Sequence, residues 1–479
     1  MSTFDPLALD FTHDPNLKSW VASANREGTD FPIQNLPFCR LEAQGEIDDL
    51  PEEFLSEEDE REAYDEVLDR LGVRIGDEFC DLLKLQLHGA FDDFPRVDEL
   101  EDFLREWSTM RVIVASPEFL RDLRHFLVRF LADTPGGASG GQKTRRLRQK
   151  CVYPLDESRL LLPVEPANYT DFYASIHHAT TVGSMFRPDA PLLPNYKHVP
   201  IGYHGRASSI IPSGAAIVRP RGQTKADDAA APTFGPCAML DYELEIGCVM
   251  MADNPLSEPV PVGEAWRSML GLCLVNDWSA RDVQKWEYQP LGPFLAKNFA
   301  TSISAYIVTL DALAPFRAPL TRPEGDPAPL DYLRDARDQA HGGFNLTLEA
   351  HLRSAKMIQA KQPPVRISRG SFASMYWTFA QMIAHHTSNG CNLLAGDLLA
   401  SGTVSGPEAG SRGCLLELTW SGRDEAGKPK PRTPITLPTG ETRVFLQDGD
   451  ELTISAFAEA PGRRRIGLGA CSGVILPAR

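Results

Sequence analysis

Between Tyr169 and Lys297 the chain carries five short polar motifs: Tyr169-Thr-Asp-Phe-Tyr173, His177-His178-Ala-Thr180, Asp241-Tyr-Glu-Leu-Glu245, Asn276-Asp-Trp-Ser-Ala-Arg-Asp282 and the isolated Lys297. Together they hold carboxylates, a histidine pair, an arginine and a lysine, which is the inventory of metal-assisted hydrolysis. In Asp241-Tyr-Glu-Leu-Glu245 the acids fall at every second position. Alternate side chains of an extended strand share a face, so the pattern predicts Asp241, Glu243 and Glu245 pointing one way. Three carboxylates on one face repel unless water or a cation separates them. A solvent-facing strand is one reading and a cation site the other. Asp171 and Asp277, both in mostly uncharged and aromatic-flanked surroundings, favour the second. Carboxylates without cysteine or suitably spaced histidine select calcium, magnesium or manganese over zinc.

A base and its support come from other segments. His178 lies close to Asp171 and Tyr173 in sequence. A histidine base needs a carboxylate to fix its tautomer, and Glu417, inside the apolar run Leu415–Trp420 read as a strand, is the candidate. The Asn276–Gln284 segment follows the apolar strand Leu270–Val275, where sites are commonly built. Continued as a helix, it would set Asp277, Arg281 and Gln284 on one face. Arg281 and Gln284 could then hold a developing oxyanion while Asp277 reaches a cation; a surface Asp–Arg pair is the plainer reading. Lys297 sits in Pro293-Phe-Leu-Ala-Lys-Asn-Phe299, unusually apolar company for a solvating lysine. His204, His385 and His386 fit no metal spacing and read as structural.

The elements that must position these groups change style along the chain. Short strands are expected at Phe31–Pro37 and at 72–81, with a hairpin turn at Gly76-Asp77. Helical spacing follows over 97–132 through Phe119, Leu123, Phe126, Leu127, Phe130 and Leu131. The acidic stretch 46–66 reads as a solvated insertion and 134–144 as a linker, followed by basic residues 145–150. From about Leu160, short strand-like runs alternate with Pro/Gly turns, including Leu240–Met251 as one strand, and a helix over Phe372–His386 interrupts them. The fold class expected is mainly β within α+β, with an N-terminal domain over 1–160 and a catalytic domain over 161–479.

Bulk properties narrow the partners. At 479 residues the chain exceeds one typical domain, and its net charge of −17 argues against nucleic acid, which needs a basic face. The nine scattered cysteines include no Cys-x-x-Cys, so they read as buried free thiols of a reducing compartment. No apolar run reaches the roughly 20 residues of a membrane helix, and the N-terminus shows no signal-peptide pattern. A cytoplasmic protein without membrane or nucleic-acid partners is expected.

The motifs match a family. Tyr169-Thr-Asp-Phe-Tyr173, His178-Ala-Thr180, Glu243-Leu-Glu245 and Asn276-Asp-Trp-Ser-Ala-Arg-Asp282 resemble the fumarylacetoacetate hydrolase superfamily. Longer blocks extend the likeness over most of the chain, among them Gly202-Tyr-His-Gly-Arg-Ala-Ser-Ser209, Trp286-Glu-Tyr-Gln-Pro-Leu-Gly-Pro-Phe294 and Gly396-Asp-Leu-Leu-Ala-Ser-Gly-Thr403. The resemblance implies an SH3-like small barrel before a mixed β-sandwich-roll catalytic domain, a homodimer, and hydrolysis of a carbon–carbon bond in a diketo acid, 4-fumarylacetoacetate. It implies that Asp171, Glu243, Glu245 and Asp277 hold calcium or magnesium, with Lys297 and Thr301 at a second, magnesium-associated position. His178 would be the base and Glu417 its partner, with Arg281, Gln284 and Lys297 stabilising the oxyanion. Tyr173, Arg187, Tyr203, Gln284, Tyr288 and Thr403 would hold the substrate. Ile176 and His177 depart from the family pattern before the catalytic histidine. Acylpyruvate hydrolysis, or keto-acid hydration or decarboxylation, is the alternative within the fold. A calcium-stapled structural protein without activity is the alternative outside it.

Overall fold

The computed structural model describes residues 5–42, 69–133 and 142–479. The acidic stretch 46–66 and residues 134–141 of the expected linker lie outside them. Two hydrophobic cores share one central sheet. That sheet runs, in spatial order, through Gly202–His204, Tyr169–Phe172, Leu398–Ala400, Leu244–Met250, Met269–Asp277, Thr301–Ile303 and Ile210–Pro212, with Val308–Thr309 branching from the long Met269–Asp277 strand.

Its two faces are read directly from alternation. Leu244, Ile246, Cys248, Leu272 and Leu274 pack into the larger core. The intervening Val249, Cys273 and Val275, with Tyr169, Ile303, Leu398 and Ala400, pack against the N-terminal elements instead. The larger core is closed by a second sheet ordered Val365–Ser371, Leu346–Arg353, Glu451–Ala458, Ile466–Leu476 and Ile217–Val218. On Leu346–Arg353 burial alternates strictly, so Leu346, Leu348, Ala350 and Leu352 all point inward.

The N-terminal elements comprise an antiparallel sheet, Phe38–Glu42, Asp69–Ile75, Glu78–Asp81 and Val152–Pro154, and the helices Val97–Met110, Pro117–Leu131 and Gln142–Cys151. The hairpin falls at Gly76-Asp77 as the pattern predicts. Gly76 has φ +56°, and a Cβ there would stand 2.2 Å from Ser23 Oγ, so both conformation and space exclude a side chain. The second helix is started by Ser116, whose Oγ accepts from Phe119 N at 3.1 Å, with Pro117 in the first turn.

Several expectations need correction. Phe31–Pro37 is not a strand but a turn, closed by Asn35 N donating to Pro32 O at 2.9 Å; prolines at 32 and 37 remove amides that a ladder would use. Leu240–Met251 is not continuous. Leu240–Asp241 pairs with Ser279–Ala280, and the main strand starts at Leu244. Leu415–Leu418 is a helical turn, not a strand. The helix expected over Phe372–His386 starts only at Phe379 and runs to Thr387, begun by a capping box between Thr378 and Gln381.

Candidate active site

Strand register brings the acids together. Asp171 lies opposite Tyr203 on one neighbour and Ala400 on the other, and Asp277 opposite Thr301. Glu245 faces Val275, two residues before Asp277 on the same side of the strand. Each is reached by stepping along the face that packs on the N-terminal core: Tyr169 to Asp171, Val275 to Asp277, Ile303 back to Thr301, Val249 back to Glu245. Polar groups thus begin where that core ends. Oxygens of Asp171, Glu243, Glu245 and Asp277 lie within 4.8 Å of one another, and all four residues are buried. At that spacing each pair of charged carboxylates repels by about 3–4 kcal/mol for an effective dielectric of about 20.

Two cations offset part of this. Lys297 Nζ donates to Asp277 Oδ2 at 2.6 Å and Glu243 Oε2 at 2.7 Å. Burial works against its charge, but Asp277 and Glu243 outweigh it and hold the ammonium above its ordinary pKa. Arg281 meets Glu243 Oε1 at 2.7 Å and Asp241 Oδ2 at 3.0 Å. Glu243 is therefore kept well below the usual carboxylate range: burial pushes it up, and Lys297, Arg281 and His178 more than reverse that. Asp277 is raised by burial despite Lys297, with further donors in Tyr203 OH at 2.9 Å and Thr301 Oγ1 at 3.0 Å. Asp171 and Glu245 are pushed well above the usual range, by burial first and then by neighbouring carboxylates.

The donors left over decide what fits here. Asp171 Oδ1 and both oxygens of Glu245 are buried without a hydrogen-bond partner. A buried carboxylate is costly unless paired or bound to a metal. An all-oxygen group with three unpartnered lone-pair donors suits a hard divalent cation. Lys297, placed by the resemblance at a second cation position, pairs here with Asp277 and Glu243. Thr301 donates to Asp277. Asp241, expected beside Glu243 and Glu245, faces elsewhere because the strand breaks at Tyr242-Glu243; it accepts from Leu415 N at 2.8 Å and Leu416 N at 2.9 Å, anchoring the turn that carries Glu417.

His178 enters on the helix Ile176–Phe186, which leaves the Tyr169–Phe172 strand after a short turn. Ser175 caps that helix, accepting from His178 N at 3.3 Å and donating to Ser405 O at 3.0 Å. His178 Nδ1 meets Glu417 Oε2 at 2.6 Å. Burial raises the Glu417 carboxyl, but His178, Ser405 and Cys414 together bring it below its ordinary value. Glu417 is thus an anion that holds the ring with Nδ1–H toward it, leaving Nε2 as the basic nitrogen. Tyr173 packs edge-on against the ring at 5.3 Å.

His178, Asp171 and Glu243 share the wall of a cavity of about 970 Å³. Tyr173, Arg187, Tyr203, Gln284, Tyr288 and Thr403 all line it, as do Asp171, Glu243, Arg281 and Lys297. Glu245, Asp277, Thr301 and Glu417 stand behind that wall; Asp277, Lys297 and Thr301 border a smaller cavity of about 240 Å³. Arg281, Gln284 and Asp277 do not form a single helix face. Asp277 ends its strand and the helix begins at Arg281, which donates to Gln284 Oε1 at 3.1 Å. Arg281 Nη2 has no partner and remains available to an anion. Unread from sequence are Ser405 and Cys414, which grip Glu417 Oε2 at 2.6 and 3.3 Å, and Asn276, whose Oδ1 accepts from Glu243 N at 3.2 Å. Asn276 lay in a recognised motif, whereas nothing near Ser405 or Cys414 marks them in sequence.

The fold is mixed α/β and sheet-rich, and its site sets a cluster of four buried carboxylates beside a buried His–Glu pair. A sequence profile described as fumarylacetoacetate (FAA) hydrolase C-terminal matches residues 167–475. The fumarylacetoacetases of Bos taurus and Homo sapiens are each 40% identical to this chain, over 94% of it and 97% of their own length. That of Oryza sativa subsp. japonica is 39% identical over 96% of this chain and 98% of its own. Among solved structures, a fumarylacetoacetate hydrolase from Exiguobacterium antarcticum aligns with 93% of this chain and 100% of its own at a TM-score of 0.43 and 16% identity. The chain belongs to the fumarylacetoacetate hydrolase family.

Proposed function

We propose that this protein hydrolyses 4-fumarylacetoacetate to fumarate and acetoacetate, the last step of tyrosine and phenylalanine breakdown. The observation that carries the reading is the joint one: about 40% identity to fumarylacetoacetases over 94% of the chain, with a cluster of four carboxylates and a His–Glu pair that reach one cavity through Asp171, Glu243 and His178. Asp171, Glu243, Glu245 and Asp277 would hold a calcium or magnesium ion, whose Lewis acidity would stabilise negative charge on the substrate's ketone oxygens. His178 takes a proton from water through Nε2, and Glu417 stabilises the imidazolium that results. The hydroxide adds to the carbonyl carbon beside the fumaryl group. When the carbon–carbon bond breaks, its electron pair leaves with the acetoacetate half as an enolate, and the proton held on His178 returns to that carbon. Arg281, Gln284 and Lys297 face the oxyanion and Arg187, Tyr173, Tyr203, Tyr288 and Thr403 hold the diketo acid. Arg187, Arg281 and Lys297 account for a dianion entering a protein of net charge −17.

Residues 1–160 are read as an SH3-like domain with added helices, supported by its four-stranded antiparallel sheet, and 161–479 as the β-sandwich-roll catalytic domain. A cytoplasmic homodimer completes the reading; eight of nine cysteines are buried and all are free, and no helix among the described residues is long and apolar enough to cross a membrane. The test is loss of substrate absorbance with fumarylacetoacetate beside acylpyruvates, before and after EDTA. Turnover of fumarylacetoacetate that chelation abolishes supports the proposal, and preference for an acylpyruvate would replace it.

A further inference from the structure

Glu417 stands between two side chains that hydrolysis does not use together. His178 Nδ1, Cys414 Sγ and a Glu417 oxygen lie within 4.8 Å of one another, on three buried residues. Glu417 Oε2 meets His178 Nδ1 and Ser405 Oγ at 2.6 Å and Cys414 Sγ at 3.3 Å. Its Oε1 accepts no hydrogen bond, and Arg412 Nη1 is 3.8 Å away. His178 lines the large cavity, and Glu417 and Cys414 lie directly behind it.

We infer that His178, Cys414 and Glu417 form a second metal site, selective for a soft or borderline ion such as zinc or cadmium, whose occupation switches the enzyme off. The switching half rests on the hydrolase reading above. Nitrogen, thiolate sulfur and one carboxylate oxygen form a donor set for zinc, whereas the neighbouring group of four carboxylates offers only hard oxygens. Zinc bonds of about 2.0–2.3 Å place tetrahedral neighbours roughly 3.3–3.7 Å apart. His178 and Glu417 must therefore part by about an ångström, or Glu417 turn its free Oε1 inward, while Cys414 is already near that spacing. A water entering beside His178 would be the fourth ligand.

Burial, then Glu417 and Asp241, hold the Cys414 thiol well above its ordinary pKa, so it is protonated before the ion arrives. As the sulfur–metal bond forms, that proton leaves to solvent. The ring proton on His178 Nδ1 moves to Nε2, since Nδ1 now gives its lone pair to the metal. Nε2 is the atom that must accept a proton from water. The ring stays neutral, yet the base is gone.

The test uses the full chain with saturating magnesium, so that the carboxylate site is filled. Cadmium is the optical probe, because a cadmium–thiolate bond absorbs in the ultraviolet, and zinc is the kinetic probe. The inference expects a thiolate band saturating at one cadmium per chain, and zinc inhibition that further magnesium does not relieve. In Cys414→Ser the band vanishes and half-inhibition needs at least tenfold more zinc, each variant being scaled to its own zinc-free rate. Cys414→Ala serves as the second variant, with melting curves to check folding. The inference is overturned by an absent band in the wild-type protein, by inhibition that magnesium reverses, or by unchanged zinc sensitivity in both variants. The band needs no substrate, so it separates failure of this site from failure of the proposed activity.

Discussion

Glu417→Gln tests the base most sharply, because it keeps shape while removing charge. In the native site Glu417 Oε2 collects three buried contacts, from His178 Nδ1 and Ser405 Oγ at 2.6 Å and Cys414 Sγ at 3.3 Å. If the glutamine oxygen keeps that place, His178 retains its tautomer and loses only the anion. A hydrogen bond to a charged partner contributes about 1.5–3 kcal/mol, and each 1.36 kcal/mol is a factor of ten, so kcat falls by about 10–150-fold. If the glutamine NH₂ turns toward the ring instead, Nδ1 must accept, Nε2 carries the proton and no base remains. In serine hydrolases the corresponding Asp→Asn change costs about 10⁴ in kcat. The assay is initial-rate hydrolysis with a parallel cation titration. A kcat reduced by 10–10⁴-fold is expected, with KM within about threefold and cation affinity unchanged, since Glu417 is not among the four clustered carboxylates. Retention of kcat within about threefold of wild type would refute the role given to the His178–Glu417 pair.

Three further predictions rest on separate observations. Arg281→Lys keeps the charge but loses the fork that spans Asp241 and Glu243; kcat should fall by about 10²–10³, and a full-activity variant would remove Arg281 from the oxyanion group. Asp338 is buried beside Thr378, and burial raises its pKa from 3.8 to about 6. The folded state holds that proton more tightly than the unfolded one, so this residue's contribution to stability is full below pH 3.8 and is lost as pH rises to about 6. The loss is about 3 kcal/mol at 1.36 kcal/mol per pH unit. Denaturant unfolding across that window should show the fall in wild type and not in Asp338→Asn, and parallel curves would contradict it. Leu348→Ala opens a cavity inside the second sheet's buried face and should cost about 2–5 kcal/mol in denaturant unfolding, with kcat of the folded fraction unchanged; a smaller cost would mean that Leu348 is not packed as described.

The candidate site's residues were legible because they are compressed into short motifs whose types and order survive without knowledge of the fold. Oxygens of Asp171, Glu243, Glu245 and Asp277 lie within 4.8 Å of one another, and Glu417 reaches His178 across 239 residues. Local geometry was less legible. Alternation put Asp241 with Glu243 and Glu245, but Tyr242 and Glu243 leave the ladder, and Asp241 turns to Arg281 and the amides of Leu415 and Leu416. Glu417 was placed on a strand by its apolar neighbours, yet Leu415 and Leu416 are buried on a single helical turn pinned by Asp241. Four-residue apolar runs carry no period long enough to tell strand from helix. Leu346–Arg353 shows strict alternation but was not among the strands expected, since Glu349, Ala350 and His351 are weak strand formers and only pairing on both sides defines it.

The central claim, that four distant acids converge on one cation, is tested most directly by melting wild type and Glu245→Gln with magnesium or calcium and again with EDTA. Neither Glu245 oxygen is held by a donor group of the protein, and neighbouring carboxylates crowd it, so the substitution weakens the ion site while relieving repulsion in its absence. At a hundredfold excess over Kd the cation should stabilise wild type by about 2.7 kcal/mol, a gain that EDTA removes. Glu245→Gln should gain little from the cation and, once chelated, should melt no lower than chelated wild type. Equal cation-dependent shifts in both proteins, or none in wild type, would contradict a shared carboxylate site.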